Sequence, residues 1–366
     1  MKKSIKIGIF KPTNIRNNNA FETGQHKVLV ELQKRNKIEI FLITDDNKFT
    51  STFLEVRQLK INNIKTLINR VIKKISKTPY IKIPYYKNLD LKDFEIIITE
   101  GIHYPHLKYL FKSNSKIIFN DSITVEKSFS KRKTRLFNKY FKNNKVVVVN
   151  PIIKEYYKKH NIKIQPVIIG HSVSDKIKSK PIFKFNGKLI ATGRLSEEKG
   201  FEIIFKACRI LKLKGLNFTL DVYGEGIEYS RLKKLIKALE INDYINIIGY
   251  IPHENLLKKL NSYSIFISHP IETDTIAEAF NLSLAESMYA GLPTITSDCG
   301  GMKSLYLNNS IIIKQFDYID LAAQIYKLTK NEKLLKKISE NGIEYINQNF
   351  TLDKIVTKWE NLLFKN

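Results

Sequence analysis

A chain of 366 residues, 43% of them hydrophobic, is too long for one ordinary core, and two domains of roughly 150–200 residues are expected. It contains no apolar run of about 18 residues, which excludes a membrane-spanning helix, and its two cysteines, Cys208 and Cys299, exclude a disulfide framework and suit a reducing cytoplasm. The net charge of +27 is uneven: residues 1–180 hold 38 Lys/Arg against 14 Asp/Glu, so the first half is expected to meet an anionic partner unless the lysines merely fill solvated faces.

In chain order, Ile5–Phe10 reads as a first strand rather than a secretory signal, because its apolar stretch is short and broken by Lys6. An asparagine-rich loop leads to Gly24, then Val28, Leu29 and Leu32 fall at helical spacing, and residues 37–44 form a second strand. Strand, glycine loop, helix and strand make a doubly wound opening. Residues 62–78 put Ile64, Leu67, Ile68, Val71, Ile72 and Ile75 on one helical face with cations between them. Such a helix packs on a core or meets anionic lipid headgroups. A second basic cluster over 127–145 carries Phe129, Phe137, Tyr140 and Phe141. No nucleic-acid motif surrounds it, so a membrane surface is preferred to nucleic acid. Strands are expected at 94–99, 116–119 and 146–149. Residues 166–173 close the first domain, and 174–187 form a lysine-rich linker. His103 and His106 lack a third ligand at a recognisable spacing, so no metal is expected there.

The pattern then restarts. Residues 188–193 are a strand and glycine turn, GRLSEEKG covers 193–200, and Phe201–Leu213 is a helix. Arg194 and Lys199 would stand at the carboxyl end of a strand, where doubly wound sheets bind ligands. Fixed cations there stabilise the charge developing on a departing diphosphate; the plainer alternative is two surface charges beside a helix start. Strands at 217–223, 245–249 and 265–268 alternate with a helix over 231–239 and a loop at 250–252, and Glu272-Thr273-Asp274 reads as loop rather than a metal site. In the stretch EAFNLSLAESMYAGLPTITSDCGG, residues 278–301, two carboxylates bracket seven residues. An apolar helical run stops at Ala290-Gly291, with Pro293 just beyond, and a strand leads to Gly300-Gly301. Glu278 is expected in the loop before the helix and Glu286 in its first turn, both facing one ligand. Alternatively, Ser283 and Glu286 form an S-x-x-E capping box with no ligand at all.

This segment resembles the Glu-seven-Glu signature of the retaining nucleotide-sugar glycosyltransferases of family four: Glu278, Phe280, Glu286, Met288, Gly291 and Pro293 fall in place, while Asn281 and Ser287 replace the usual Gly and Ala. GRLSEEKG resembles the same family's diphosphate-binding segment. The resemblance implies an α/β GT-B fold: two doubly wound Rossmann-like domains facing across a cleft, an acceptor-binding domain over 1–175, a nucleotide-sugar-binding domain over 176–345, and a terminal helix over 346–366 returning to the first. It implies a hexosyl transfer from a UDP- or GDP-sugar to a lipid-linked or polysaccharide acceptor, with retained configuration and no metal or other cofactor. A cytoplasmic protein is expected, and the basic first half would allow it to sit peripherally on the inner face of the membrane. Arg194 and Lys199 would neutralise the diphosphate and Glu278 would contact the donor sugar. Glu286 would hold the ribose, Gly300 and Gly301 the sugar or phosphate, Tyr250 and Ile251 the base, and Gly24 the diphosphate. Where the family commonly has histidines in the first domain, this chain offers Glu100, His103 and Asn120. A nucleotide-sugar 2-epimerase shares the architecture, and a non-catalytic basic binding protein on the same fold is a further alternative.

Overall fold

The computed structural model describes residues 4–10, 26–44, 55–58, 60–61, 86–87, 91–100, 110, 114–121, 134–135, 138–139, 144–274 and 277–365. Gly24, His103, the basic helix expected over 62–78 and most of the basic cluster at 127–145 lie outside these residues.

Runs such as IKIGIF and KIIFND are apolar on both strand faces, as befits strands covered on both sides. They build an all-parallel sheet from β1 (Ile5–Phe10), β2 (Ile38–Thr44) and β3 (Glu55–Gln58), with α1 (His26–Arg35) between the first two. A short antiparallel pair, β4 (Lys60–Ile61) with β5 (Tyr86–Lys87), stands apart. The main sheet continues through β6 (Ile96–Glu100), β7 (Lys116–Asp121), β8 (Lys145–Val148), α2 (Pro151–Lys159) and β9 (Val167–Ile168). Its order is β3-β2-β1-β6-β7-β8-β9.

The second sheet follows the same logic in β10 (Lys188–Thr192), α3 (Phe201–Leu213), β11 (Thr219–Tyr223), α4 (Tyr229–Ala238), β12 (Ile245–Gly249), α5 (His253–Lys259) and β13 (Ile265–Ile267). It is completed by α6 (Leu282–Ala290), β14 (Thr294–Ser297), α7 (Met302–Tyr306), β15 (Ile311–Ile313) and α8 (Tyr318–Lys330). Its parallel order, β12-β11-β10-β13-β14-β15, reverses between β10 and β13. Ligands of doubly wound sheets bind at that kind of switch point, beyond the strands' carboxyl ends. Both sheets are doubly wound, as the sequence patterns require.

Local chemistry explains how the loops reach that point. Helix α3 buries Phe201, Ile204, Cys208 and Leu211 along one stripe, the 3.6-residue periodicity of a half-covered helix. It starts at Gly200, whose φ is +63° and where a Cβ would stand 1.9 Å from the His269 carbonyl oxygen. Only glycine permits that conformation and that approach, and the approach brings the GRLSEEKG turn against the chain leaving β13. Two last helices, α9 (Glu332–Asn349) and α10 (Leu352–Phe364), end the chain. Helix α10 meets α1 through Arg35 to Asp353 at 2.9 Å and Asn36 to Glu360 at 2.9 Å. The amide of Val173 donates to the Phe350 carbonyl at 2.9 Å, so the two strands of chain that pass between the sheets run side by side.

Candidate active site

Beyond the carboxyl ends of β10 and β13 lies a cleft of about 450 Å³, within the range of small-molecule sites. Thr192 and Gly193 after β10, Ser268 after β13, Lys199, Tyr223, Tyr250, Ile251, His253, Glu278, Asn281 and Glu286 line it. The cleft therefore gathers five of the residues singled out from sequence: Lys199, Glu278, Glu286, Tyr250 and Ile251.

The Lys199 ammonium donates to the Glu278 carboxylate, with side-chain exposures of 23% and 17%. Burial pushes the Glu278 carboxyl upward, but the Lys199 charge and hydrogen bond, the Asn281 backbone and the more distant Arg194 outweigh it and hold the group below its ordinary value. The Glu278 carboxylate is thus kept charged beside Lys199 at the sheet's switch point.

Glu286 is 4% exposed and sits in the middle of α6 rather than in its first turn. The helix starts at Leu282 because Asn281, at φ +57°, caps it, its side chain accepting from the Leu284 amide at 3.1 Å. Ser283 is inside the helix and the S-x-x-E capping box does not form. This also explains why Asn stands where glycine is usual: the position is left-handed, and asparagine is the residue that tolerates it next best. With no capping duty, Glu286 faces the cleft and takes His253 Nε2 at 3.0 and 2.9 Å from its two oxygens.

Other expected site residues fall elsewhere. Arg194 does not line the cleft; its side chain is 68% exposed and lies 3.7 Å from Glu198. Gly300 and Gly301 do not line it either: the Gly300 amide donates to the side chain of exposed Glu272 at 3.3 Å and the Gly301 amide to the Glu278 carbonyl at 2.8 Å. A Cβ on Gly300 would stand 2.2 Å from that carbonyl. The bare Gly300 lets the backbone pass Glu278, and the pair expected to meet sugar or phosphate stands outside the residues that line the cleft. Asn120, at the end of β7, lines a separate small cavity with Ile9, Val28, His171 and Trp359. Glu100 ends β6, beside it in the sheet.

Sequence reasoning missed three features. His253 gave no signal beyond following Pro252. Tyr223 walls the cleft and has its hydroxyl 2.7 Å from that of Tyr263, which donates to Asp221 at 2.7 Å; the partners are 40 residues apart in sequence. Asn150 reads only as the residue after a strand. Among the described residues no group of three or more His, Cys, Asp and Glu side chains is arranged to hold a metal ion.

Two doubly wound sheets with a charged cleft at the switch point of the second define the GT-B architecture. Residues 172–345, just under half of the chain, match the family described as glycosyl transferases group 1. Curated relatives include an uncharacterized glycosyltransferase of Haemophilus influenzae, 27% identical over 181 residues (49% of each chain). The amylovoran biosynthesis glycosyltransferase AmsK of Erwinia amylovora is 29% identical over 148 residues, 40% of this chain and 36% of that one. The chain thus spans between about a third and a half of the length of the curated relatives it matches first. Among solved structures, a glycosyltransferase from Rickettsia africae superposes over 100% of both chains, with a TM-score of 0.74 at 18% identity. Anabaena HepE in complex with UDP and glucose covers 99% of this chain and 100% of its own, with a TM-score of 0.72 at 14% identity.

Proposed function

We propose that the protein is a retaining glycosyltransferase that moves a hexose-type sugar from a UDP- or GDP-sugar to a lipid-linked or polysaccharide acceptor, without a metal. The observation that carries this reading is the cleft itself: an ammonium and two carboxylates lining one pocket at the switch point of a doubly wound sheet. A nucleoside diphosphate needs a cation and backbone amides for its phosphates and a carboxylate for its ribose hydroxyls. Lys199 supplies the cation and Glu286 the carboxylate, and the Gly193 turn lines the same cleft. Glu286, held by His253, accepts from the ribose, and Tyr250 and Ile251 flank the base. Glu278, hydrogen-bonded to Lys199, would meet the sugar beside the diphosphate. The acceptor hydroxyl oxygen bonds to the anomeric carbon as the bond to the diphosphate oxygen breaks. The hydroxyl proton passes to the leaving diphosphate, whose charge Lys199 offsets; Arg194 acts from farther out. Relatives named for amylovoran and colanic acid biosynthesis support a polysaccharide setting.

A thermal-shift screen against UDP- and GDP-sugars tests the reading, because a ligand at about 100 times its Kd stabilises by roughly 2.7 kcal/mol. At least one donor is expected to raise Tm, and turnover should require an acceptor. No shift with any donor would refute the reading, and conversion of donor alone would make the protein an epimerase.

We also assign the basic half to an anionic membrane surface that presents the acceptor. In the described part, Lys154, Lys158, Lys159 and Lys163 are exposed, as are Val167 and Ile168, and no described helix is long and apolar enough to cross a bilayer. Each basic residue near such a surface contributes about 1 kcal/mol, weakened by salt. Flotation with phosphatidylserine vesicles should exceed that with neutral vesicles and fall as salt rises. Equal binding to both would remove electrostatics from the account.

A further inference from the structure

The loop that carries Glu278 is held by three successive carbonyls. The Glu278 carbonyl accepts from the Gly301 amide at 2.8 Å, the Phe280 carbonyl accepts from the Tyr306 hydroxyl at 2.6 Å, and the Ala279 carbonyl between them accepts from Asn150 Nδ2. The first and third partners belong to the second sheet's own segment. Asn150 does not: it follows β8 of the first sheet, 129 residues away in sequence.

Asn150 is fully buried and both ends of its amide are used. Its Oδ1 accepts from the amides of Ile152 at 2.9 Å and Ile153 at 3.3 Å, capping α2. That duty fixes the orientation of the side chain, since the reversed amide would set NH2 against two N–H donors and C=O against the Ala279 carbonyl. The surroundings leave no slack. A Cβ on Gly301 would stand 2.4 Å from Asn150 Nδ2 and 2.6 Å from the Ala279 oxygen, so residue 301 is kept bare to let the Asn150 amide reach the loop.

We propose that Asn150 is a positioning residue: by holding the carbonyl next to Glu278 from the other sheet, it sets where that carboxylate stands relative to the donor and ties the first sheet to the reactive loop. The functional half of this inference rests on the glycosyltransferase reading; the tie itself rests on geometry alone. An ångström of misplacement at a reacting group costs roughly 10²-fold in rate, so a single buried donor is enough to matter.

Two substitutions separate the tie from the cap. Asn150→Asp keeps an acceptor for α2 but sets an oxygen against the Ala279 carbonyl, and Asn150→Ser keeps a capping oxygen but withdraws the donor. In both full-length variants, hydrogen exchange across 277–283 should quicken roughly tenfold or more, while the amides of Ile152 and Ile153 stay protected. With the donor identified by screening, kcat should fall roughly 10²-fold while the Kd for UDP or GDP changes little, since Glu286 and Lys199 are untouched. One folded variant decides the comparison. Unchanged exchange at 277–283, or a lowered Tm with wild-type kcat, would overturn the proposal. If the wild type turned over no sugar nucleotide, the functional reading would fall while the exchange comparison still judged the tie.

Discussion

Lys199→Met is expected to destabilise the protein by about 3 kcal/mol at neutral pH, at the low end of the cost of stripping one partner from a buried ion pair because both side chains keep some exposure. The loss comes from Glu278, left with burial and no adjacent cation. In the wild type the carboxyl lies below its ordinary value of 4.5, so the pair's contribution is full above that value and disappears as pH falls through the lower, folded value. In the variant, burial dominates and the carboxyl rises above its ordinary value, so stability is lost as pH rises through the raised one. The gap between the two proteins should therefore be small in acid and widen towards neutrality. Adding Glu278→Gln should recover most of it, since the two residues act as a pair. Melting curves of the four proteins at pH 4 and pH 7.5 check this; a gap independent of pH would show that the pair is not its source. The same change should weaken UDP or GDP binding by ~10- to 100-fold, the worth of one charge-assisted bond to phosphate.

Where pattern is local, the sequence is enough. The helix after Gly200 needs only the spacing of Phe201, Ile204, Cys208 and Leu211 and the glycine before it, and it runs over the expected Phe201–Leu213. The strands of the second sheet are short apolar runs bounded by turn residues, and they stand where those runs stand. Lys199 and Glu278 share a cleft because each sits next to a turn that can be read in isolation. Local pattern fails where a distant residue decides. The depth of Glu286 in its helix depends on a left-handed Asn281 that also donates to Ser268 Oγ at 2.8 Å, and S-x-x-E suggested a different cap. Gly300 and Gly301 invited an anion-binding reading, yet what they adjoin is the Glu278 backbone and the Asn150 side chain. Arg194 has the right neighbours in sequence, but its side chain leaves the cleft wall. In each case the missing information was which backbone passes behind the loop.

Glu278→Gln carries the largest effect on activity. The substitution keeps the shape of the side chain and its ability to accept from Lys199, and it removes the charge that the proposed function sets against the sugar. Under the proposed function nucleotide affinity is assigned to Lys199 and Glu286, so it should survive. An interaction made in the transition state lowers turnover when lost, whereas loss of uniform binding raises only KM. Removing one preorganised electrostatic contact of this kind costs roughly 10²–10³-fold in kcat. The complementary change, Glu286→Gln, should act mainly on nucleotide affinity. The most direct measurement is thus the steady-state kcat of Glu278→Gln with the identified donor, alongside its Kd for UDP or GDP. The predicted result is turnover lowered by ~10²–10³-fold with affinity within about threefold of wild type; near-normal turnover would contradict the assignment of this cleft.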